Sequence, residues 1–184
     1  MSYTLRALVR EDEPFLWQML YEAAHMAEEG DPGLQAVMDH PDISKYVRGW
    51  GRAGDMGFAA VDSCSSHPVG AAWLRLFTSG NKGYSYIDDA TPELSIAVHP
   101  EHQGQGIGTA LLTALIEAAQ TSYTAVSLSV RADNPAVPLY RRAGFEDVKG
   151  SDIINRTGGT SFTMKIDFLL LRSQENESGY NVGT

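Results

Sequence analysis

A glycine-rich turn at residues 103–108 is the part of the sequence best suited to hold a phosphate group. The turn, Gln103-Gly-Gln-Gly-Ile-Gly108, lies between an alternating apolar segment, 93–99, and a segment whose apolar residues recur at helical spacing. A helix that begins at such a turn directs unpaired backbone N–H groups and the positive end of its dipole to one point. Glycine also lets an anion approach the backbone closely. The turn therefore predicts a phosphate site, and the alternative is a tight turn without a ligand.

The spacing of these glycines argues against the two commonest nucleotide-binding loops. The dinucleotide motif G-x-G-x-x-G would require glycine at position 109 after Gly104 and Gly106, but Thr109 stands there. A Walker A loop would require Lys followed by Ser or Thr after the glycines, and no such pair follows. The turn therefore favours a different phosphate-bearing ligand.

Two motifs in the second half of the chain resemble those of the GCN5-related N-acetyltransferases. The pyrophosphate loop of that family reads Gln/Arg-x-x-Gly-x-Gly/Ala, which Gln103, Gly106 and Gly108 match in full. Its later motif, an Asn followed by a Leu-Tyr-x-x-x-Gly-Phe run, is similar to Asn134 and the segment Leu139-Tyr-Arg-Arg-Ala-Gly-Phe145. The order of elements is also similar, so the resemblance covers most of the chain.

The resemblance implies that acetyl-CoA is the co-substrate and lies between two splayed parallel strands. Its pantetheine arm would bond the backbone of residues 96–98 and the side chain of Asn134, and its pyrophosphate would lie on the amides of residues 104–109. The implied coenzyme-binding residues are Ile96, Ala97, Val98, Gln103, Gly104, Gln105, Gly106, Gly108, Thr109 and Asn134.

Acyl transfer to an amine requires a base and benefits from an acid. An alkylamine with a pKa of about 10.4 is protonated at neutral pH and must lose a proton before it attacks. Glu93 is positioned like the general base of the family, acting directly or through water; a solvated carboxylate at a strand edge is the alternative. Tyr140 fits by motif as the proton donor to the departing thiolate, and a core tyrosine is the alternative. Asp88 and Asp89 are further candidates for the base.

Hydrophobic periodicity and chain breakers predict a single mixed α/β domain over residues 1–171, followed by a polar tail, 172–184. Its sheet is expected to be mostly antiparallel, with one splayed parallel strand pair and flanking helices. The predicted elements are a strand at 5–9, a helix at 13–28 with Asp12 as N-cap, a short helix at 34–38 ended by Pro41, an unassigned segment at 43–55, an antiparallel hairpin of 56–62 and 69–77, a loop at 78–92, a parallel crossover of 93–99 and 125–130 through a helix, a short helix after the N-cap Asn134, and a strand at 162–168.

Composition fits a globular protein with an acidic surface. The 184 residues have room for one ordinary domain, and a formal net charge of -9 disfavours nucleic acid as a partner. Cys64 is the only cysteine, which fits a reducing compartment and argues against a thiolate-rich zinc site; no metal site is predicted. Neither a signal-peptide pattern nor an apolar stretch of membrane-spanning length occurs. The expected location is the cytoplasm, with no membrane association.

The sequence as a whole predicts an N-acetyltransferase that moves acetyl from acetyl-CoA to a primary amine by direct attack. A non-catalytic acyl-CoA sensor or adaptor is the first alternative, and an enzyme for another acyl-CoA is the second. The acceptor, a small-molecule or peptide amine, would be selected by residues 30–55 and 78–92. Aromatic candidates for its pocket are Trp50, Trp73, Tyr84 and Tyr86. The resembling family commonly forms homodimers, and the sequence bears on this point neither way.

Overall fold

A mixed β-sheet forms the centre of the computed structural model, which describes residues 2–26, 30 and 33–170. The strands are β1 (Tyr3–Ala7), β2 (Met56–Asp62), β3 (Pro68–Arg75), β4 (Glu93–Val98), β5 (Ala125–Arg131), β6 (Glu146–Asp147), β7 (Ile153–Ile154) and β8 (Thr160–Asp167). Their order across the sheet is β1-β2-β3-β4-β5-β8-β6, and β7 also pairs with β8. Each of these pairs is antiparallel except β4 with β5, which is parallel.

Helices cover both faces of the sheet and bury a separate apolar cluster on each. The helices are α1 (Glu13–Ala23), α2 (Gly33–Asp39), α3 (Pro41–Ser44), α4 (Ile107–Ala119) and α5 (Val137–Arg142). On one face α1 to α3 pack against β3 and β4, with Leu16 and Met19 fully buried. On the other face α4 and α5 pack against the sheet, with Leu111 and Leu115 fully buried. Burial of each such side chain contributes about 1.5–3 kcal/mol, so both layers are fixed to the sheet.

The parallel pair β4 and β5 is joined only at its beginning. Glu93 pairs with Ser127, and the N–H of Ser127 donates to the carbonyl oxygen of Pro92 at 3.0 Å. No further residue pair joins the two strands in the described part of the chain. The strands therefore diverge beyond Glu93 and leave an opening in the sheet, as the resemblance implied.

The predicted fold class is confirmed, and the main differences concern element boundaries. The helix predicted for 13–28 ends at Ala23, because the chain turns at Ala24 and His25 has a φ of +55°, which a helix does not accommodate. The side chain of Asp12 does not cap α1; it accepts from the N–H of Val9 and pairs with Arg6.

Other differences lie beyond α1. Pro41 begins α3 as well as following the short helix, and the helix expected directly after Asn134 begins at Val137. One or two strands were expected after the last helix, with bounds only for 162–168; the described part of the chain has three there, including the two-residue strands β6 and β7. The predicted domain limit at 171 and the tail at 172–184 lie outside the described residues.

The segment 43–55, which had no predicted element, is fixed to β3 by two buried side chains. Arg75 forms an ion pair with Asp55 at 2.6 Å, with only 1% and 3% of the two side chains exposed. The same guanidinium donates to three backbone carbonyls of the segment. The indole N–H of Trp73 donates to the carbonyl oxygen of Tyr46 at 3.0 Å. Strand β3 therefore holds this segment in one position beside the start of β4.

Candidate active site

A groove of about 690 Å³ opens where β4 and β5 diverge. Its walls come from these strands, the end of α1, one face of α5 and the hairpin that contains β7. The predicted site residues that line it are Glu93, Ile96, Ala97, Val98, Gln103, Gly108, Asn134 and Tyr140. The remaining predicted residues do not line the groove. They lie in the glycine turn and in the first turn of α4: Gly104, Gln105, Gly106 and Thr109.

The glycine turn has the geometry that a phosphate-bearing coenzyme requires. Gly104 and Gly106 have φ values of +73° and +78°, and nothing lies within 4 Å of where a Cβ would stand on either residue. The side chain of Gln103 closes the turn by donating to the carbonyl oxygen of Val98 at 3.1 Å. The first N–H groups of α4 have no acceptor within the helix. These residues fit a pyrophosphate group, since glycine supplies the left-handed backbone and leaves the amides uncovered.

Asn134 lies across the groove from β4, just before α5. Its Oδ1 accepts from the N–H of Ala136 at 2.8 Å, which shapes the turn into the helix. Its Nδ2 lies 3.3 Å from Nε2 of His25, a residue at the end of α1 that also lines the groove. The structural role of this asparagine in the turn therefore coexists with a position on the wall of the groove.

Tyr140 combines a core position with a place on the groove wall. The residue is buried, and its ring packs edge-on against Phe145 with the centroids 6.2 Å apart. Burial raises the pKa of Tyr140 to about 12. The phenol therefore keeps its proton throughout the neutral range, as a proton donor must.

Glu93 is buried rather than solvated, with 2% of its surface exposed. Its Oε2 accepts from the hydroxyl of Tyr46 at 2.6 Å and from the N–H of Ser85 at 3.1 Å. Its Oε1 is buried and has no hydrogen-bond partner among the described residues. Burial raises the pKa of Glu93, and the hydrogen bonds from Tyr46 and Ser85 partly oppose that increase. The alternative that Glu93 is a solvated carboxylate at a strand edge is therefore wrong.

The loop at 78–92 packs directly on the carboxylate of Glu93. A Cβ built on Gly83 would lie 2.2 Å from Oε1, so the loop backbone covers this oxygen closely. Next along the loop, Ser85 accepts a hydrogen bond from the hydroxyl of Ser127 on β5 through its carbonyl oxygen, at 2.8 Å. Sequence reasoning missed these contacts because they join segments far apart in the chain and no local motif links them.

The other candidates for the acceptor pocket and for the base have different surroundings. Tyr84 lines the groove, whereas Trp50 and Trp73 are buried in the core and Tyr86 lies outside the lining. The alternative bases also lie outside the lining and accept hydrogen bonds within their own loop: Asp88 from the N–H of Ala90 and Asp89 from the N–H of Ser79. Glu93 is thus the candidate base that reaches the groove.

The described ranges hold neither a metal-binding cluster nor a membrane-spanning helix. Residues 2–26, 30 and 33–170 contain no group of three or more His, Cys, Asp or Glu side chains arranged to hold a metal ion. Within the same ranges, no helix combines the length and the apolar character needed to cross a membrane.

The chain is similar in sequence to curated acetyltransferases. A mycothiol acetyltransferase of Arthrobacter sp. (strain FB24) is 32% identical over 148 residues, which cover 78% of this chain and 42% of that protein. The chain spans less than half the length of the curated relatives it matches.

Two solved structures share the fold at low sequence identity. One is YncA of Salmonella typhimurium, assigned as an acetyltransferase and solved with its cofactor acetyl-CoA (TM-score 0.64, 20% identity, 91% of this chain and 95% of that chain). The other is a spermidine N-acetyltransferase chimera from Vibrio cholerae and human sequences (TM-score 0.62, 22% identity, 92% and 98%). The model of the acetyltransferase (GNAT) family matches residues 8–145, three quarters of the chain, and the chain therefore belongs to that family.

Proposed function

We propose that the protein is an N-acetyltransferase that moves acetyl from acetyl-CoA to a primary amine by direct attack. The observation that carries the proposal is that a buried carboxylate, Glu93, and a buried phenol, Tyr140, line one groove that begins at the glycine turn. Such a pair provides a base and an acid for the two proton transfers that the reaction needs.

Acetyl-CoA as the co-substrate is supported by the glycine turn and by the fold neighbour solved with that cofactor. The backbone of Ile96, Ala97 and Val98 would hold the pantetheine arm, together with the side chain of Asn134. The pyrophosphate would lie on the amides of residues 104–109, at the positive end of the α4 dipole.

The proposed chemistry balances one proton accepted and one donated. Glu93 accepts a proton from the ammonium form of the acceptor, and the neutral nitrogen then forms a bond to the acetyl carbonyl carbon. The bonded nitrogen loses its second proton to solvent. The carbon–sulfur bond then breaks, and the sulfur takes its electron pair. Tyr140 donates its proton to that sulfur, so that CoA leaves as a thiol. Proton exchange with solvent restores the carboxylate and the phenol.

The acceptor is proposed to be a small-molecule or peptide amine. Tyr84 and Tyr46 line the groove on the side of Glu93, so aromatic surface and one buried acid would meet the acceptor. We further propose a single domain over residues 1–171 in a cytoplasmic protein, which its single cysteine supports.

Thermal unfolding with acetyl-CoA, CoA, NAD and ATP in parallel tests the coenzyme. At a hundredfold excess over the dissociation constant, acetyl-CoA and CoA should stabilise the fold by about 2.7 kcal/mol, a shift of roughly 5–11 °C. Thiol release is then measured with spermidine, a peptide with a free N-terminus and a lysine peptide. Binding without release for any amine would favour the sensor or adaptor, and a larger response to succinyl- or propionyl-CoA would indicate another donor. A shift with NAD or ATP alone would refute the proposal.

A further inference from the structure

Tyr46 connects three segments of the chain at the carboxylate of Glu93. Its hydroxyl donates to Oε2 of Glu93 at 2.6 Å and accepts from the backbone N–H of Tyr84 at 2.7 Å. A backbone N–H can only donate, so the hydroxyl oxygen is the acceptor in that bond. An ionised carboxylate can only accept, so the hydroxyl directs its own proton at Oε2 of Glu93.

The position of Tyr46 does not depend on Glu93 alone. The indole of Trp73 donates to its backbone carbonyl at 3.0 Å. Its ring packs against Phe77 with the centroids 4.8 Å apart and is stacked on Tyr84 at 6.2 Å with an interplanar angle of 11°. The phenol is thus held beside the carboxylate by the core and by the loop, before any substrate is present.

The two oxygens of Glu93 have different surroundings. Oε2 accepts both hydrogen bonds, from Tyr46 and Ser85, whereas Oε1 is buried with no hydrogen-bond partner among the described residues. With Oε1 unpaired, the hydrogen bonds to Oε2 are the contacts that stabilise the ionised carboxylate. We infer that Tyr46 is a positioning residue for Glu93, whose hydroxyl holds Oε2 and thereby keeps the carboxylate ionised and in one position.

This inference rests on the proposed function, since it names the support of the proposed base. It predicts that loss of the Tyr46 hydroxyl makes the carboxylate harder to ionise. Other polar and charged groups face Glu93 or lie opposite it and would remain in such a variant: Lys45 beside Tyr46, Ser85 in the loop, Arg75 opposite on β3 with its partner Asp55, and Ser127 on β5.

The first test measures the ionisation of Glu93 directly, without a substrate. Protein labelled with ¹³C at glutamate side chains is titrated by NMR, and the Glu93 carboxyl signal is assigned by its loss in Glu93→Gln. Tyr46→Phe should raise the titration midpoint by about one pH unit, because a hydrogen bond to a charged group is lost. Tyr123→Phe is the matched control, since its hydroxyl donates to the carbonyl oxygen of Gly54 at 2.8 Å outside the groove lining. An unchanged midpoint in Tyr46→Phe overturns the inference.

The second test compares the pH dependence of kcat/KM for the amine in wild type and Tyr46→Phe. The ratio of the two profiles cancels the ionisation of the amine itself. The rising limb should move to higher pH by the same amount as the NMR midpoint, with the KM for acetyl-CoA unchanged. A uniform loss of rate at every pH, without a displaced limb, would indicate a merely structural role and contradict the inference.

Variants of Glu93 separate this inference from the proposed function. If Glu93→Gln is inactive while Tyr46→Phe leaves the midpoint and the limb unchanged, the inference fails and the proposed base stands. If Glu93→Gln keeps wild-type turnover, the proposed base fails. Should Tyr46→Phe not fold, Glu93→Asp replaces it, because it keeps the carboxylate but withdraws it from Tyr46 by about one C–C bond, roughly 1.5 Å. A wild-type kcat in Glu93→Asp would show that the contact between Tyr46 and Glu93 does not position the carboxylate for the reaction, and would overturn the inference.

Discussion

Replacing Gly83 with alanine adds one methyl group directly against the proposed base. The new Cβ would lie 2.2 Å from Oε1 and 2.5 Å from Cδ of Glu93. The φ of Gly83 lies outside the left-handed region, so alanine can adopt the same backbone conformation. The perturbation is therefore confined to the contact between the loop and the carboxylate.

The required displacement can be worked out from this contact. Real Cβ atoms essentially never approach a heavy atom closer than 3.0 Å, so a separation of 2.2 Å must grow by at least about 0.8 Å. A reacting group displaced by about 1 Å can lose about 100-fold in rate. We therefore expect Gly83→Ala to lower kcat about 100-fold, which corresponds to about 2.7 kcal/mol of activation free energy.

The assay is steady-state thiol release from acetyl-CoA, with the amine that gives the fastest release in the wild type. Calorimetric titration of acetyl-CoA accompanies it, because the coenzyme dissociation constant should stay unchanged. Gly80→Ala is the matched control in the same loop, since nothing lies within 4 Å of its Cβ position and its φ is also outside the left-handed region. If Gly83→Ala retains wild-type kcat, Glu93 is not a base whose position limits the reaction.

Three further changes test the turn, the acid and the support of the site. Gly108→Ala should raise the melting temperature, because alanine stabilises α4 by up to about 1 kcal/mol. It should also weaken acetyl-CoA binding about tenfold, equal to about 1.4 kcal/mol. Unchanged binding by calorimetry would show that the pyrophosphate does not lie at this position. Tyr140→Phe should lower kcat by about 100- to 10,000-fold, and full turnover would exclude Tyr140 as the acid. In the wild type, the pH profile of kcat should show no falling limb from this phenol at neutral pH, because burial raises the pKa of Tyr140 to about 12. Asp55→Asn leaves Arg75 buried without its charged partner and should lower the free energy of unfolding in urea by about 3–5 kcal/mol. Asp147→Asn, at an exposed ion pair, should change that free energy little, and equal effects of the two variants would contradict the importance of burial.

The parts of the molecule that the sequence predicted well are those determined by local physics. The glycine turn at 103–108, its strand and its helix depend on backbone conformations and periodicity that a short segment contains. The hairpin of β2 and β3 was predicted for the same reason, from two apolar runs around a turn. The role expected of Glu93 came from family resemblance instead, because nothing in the neighbouring residues marks a carboxylate as buried.

The contacts that hold the Glu93 side chain could not be predicted from local sequence patterns, because they join segments that lie far apart in the chain. Tyr46 precedes Glu93 by 47 residues and lies in a segment without a recognisable element. Gly83 is one of 18 glycines in the chain, and only the approach of the carboxylate distinguishes it from Gly80 in the same loop. In both cases the informative signal is tertiary contact, which single-segment patterns do not contain.

The surroundings of Glu93 support the role of base proposed for it. Burial without a partner for Oε1 costs stability, and a leucine or methionine at that position would avoid the cost. The fold nevertheless surrounds this carboxylate with Tyr46, Ser85 and the backbone of Gly83, and it holds Tyr46 through Trp73. Such an arrangement gives up stability to hold an ionisable carboxylate in one position, which is what the proposed general base requires. Because the loop at 78–92 contacts Glu93 directly, it restricts the position of the carboxylate more than the coenzyme turn does. We therefore expect displacement of Glu93 by this loop to reduce activity.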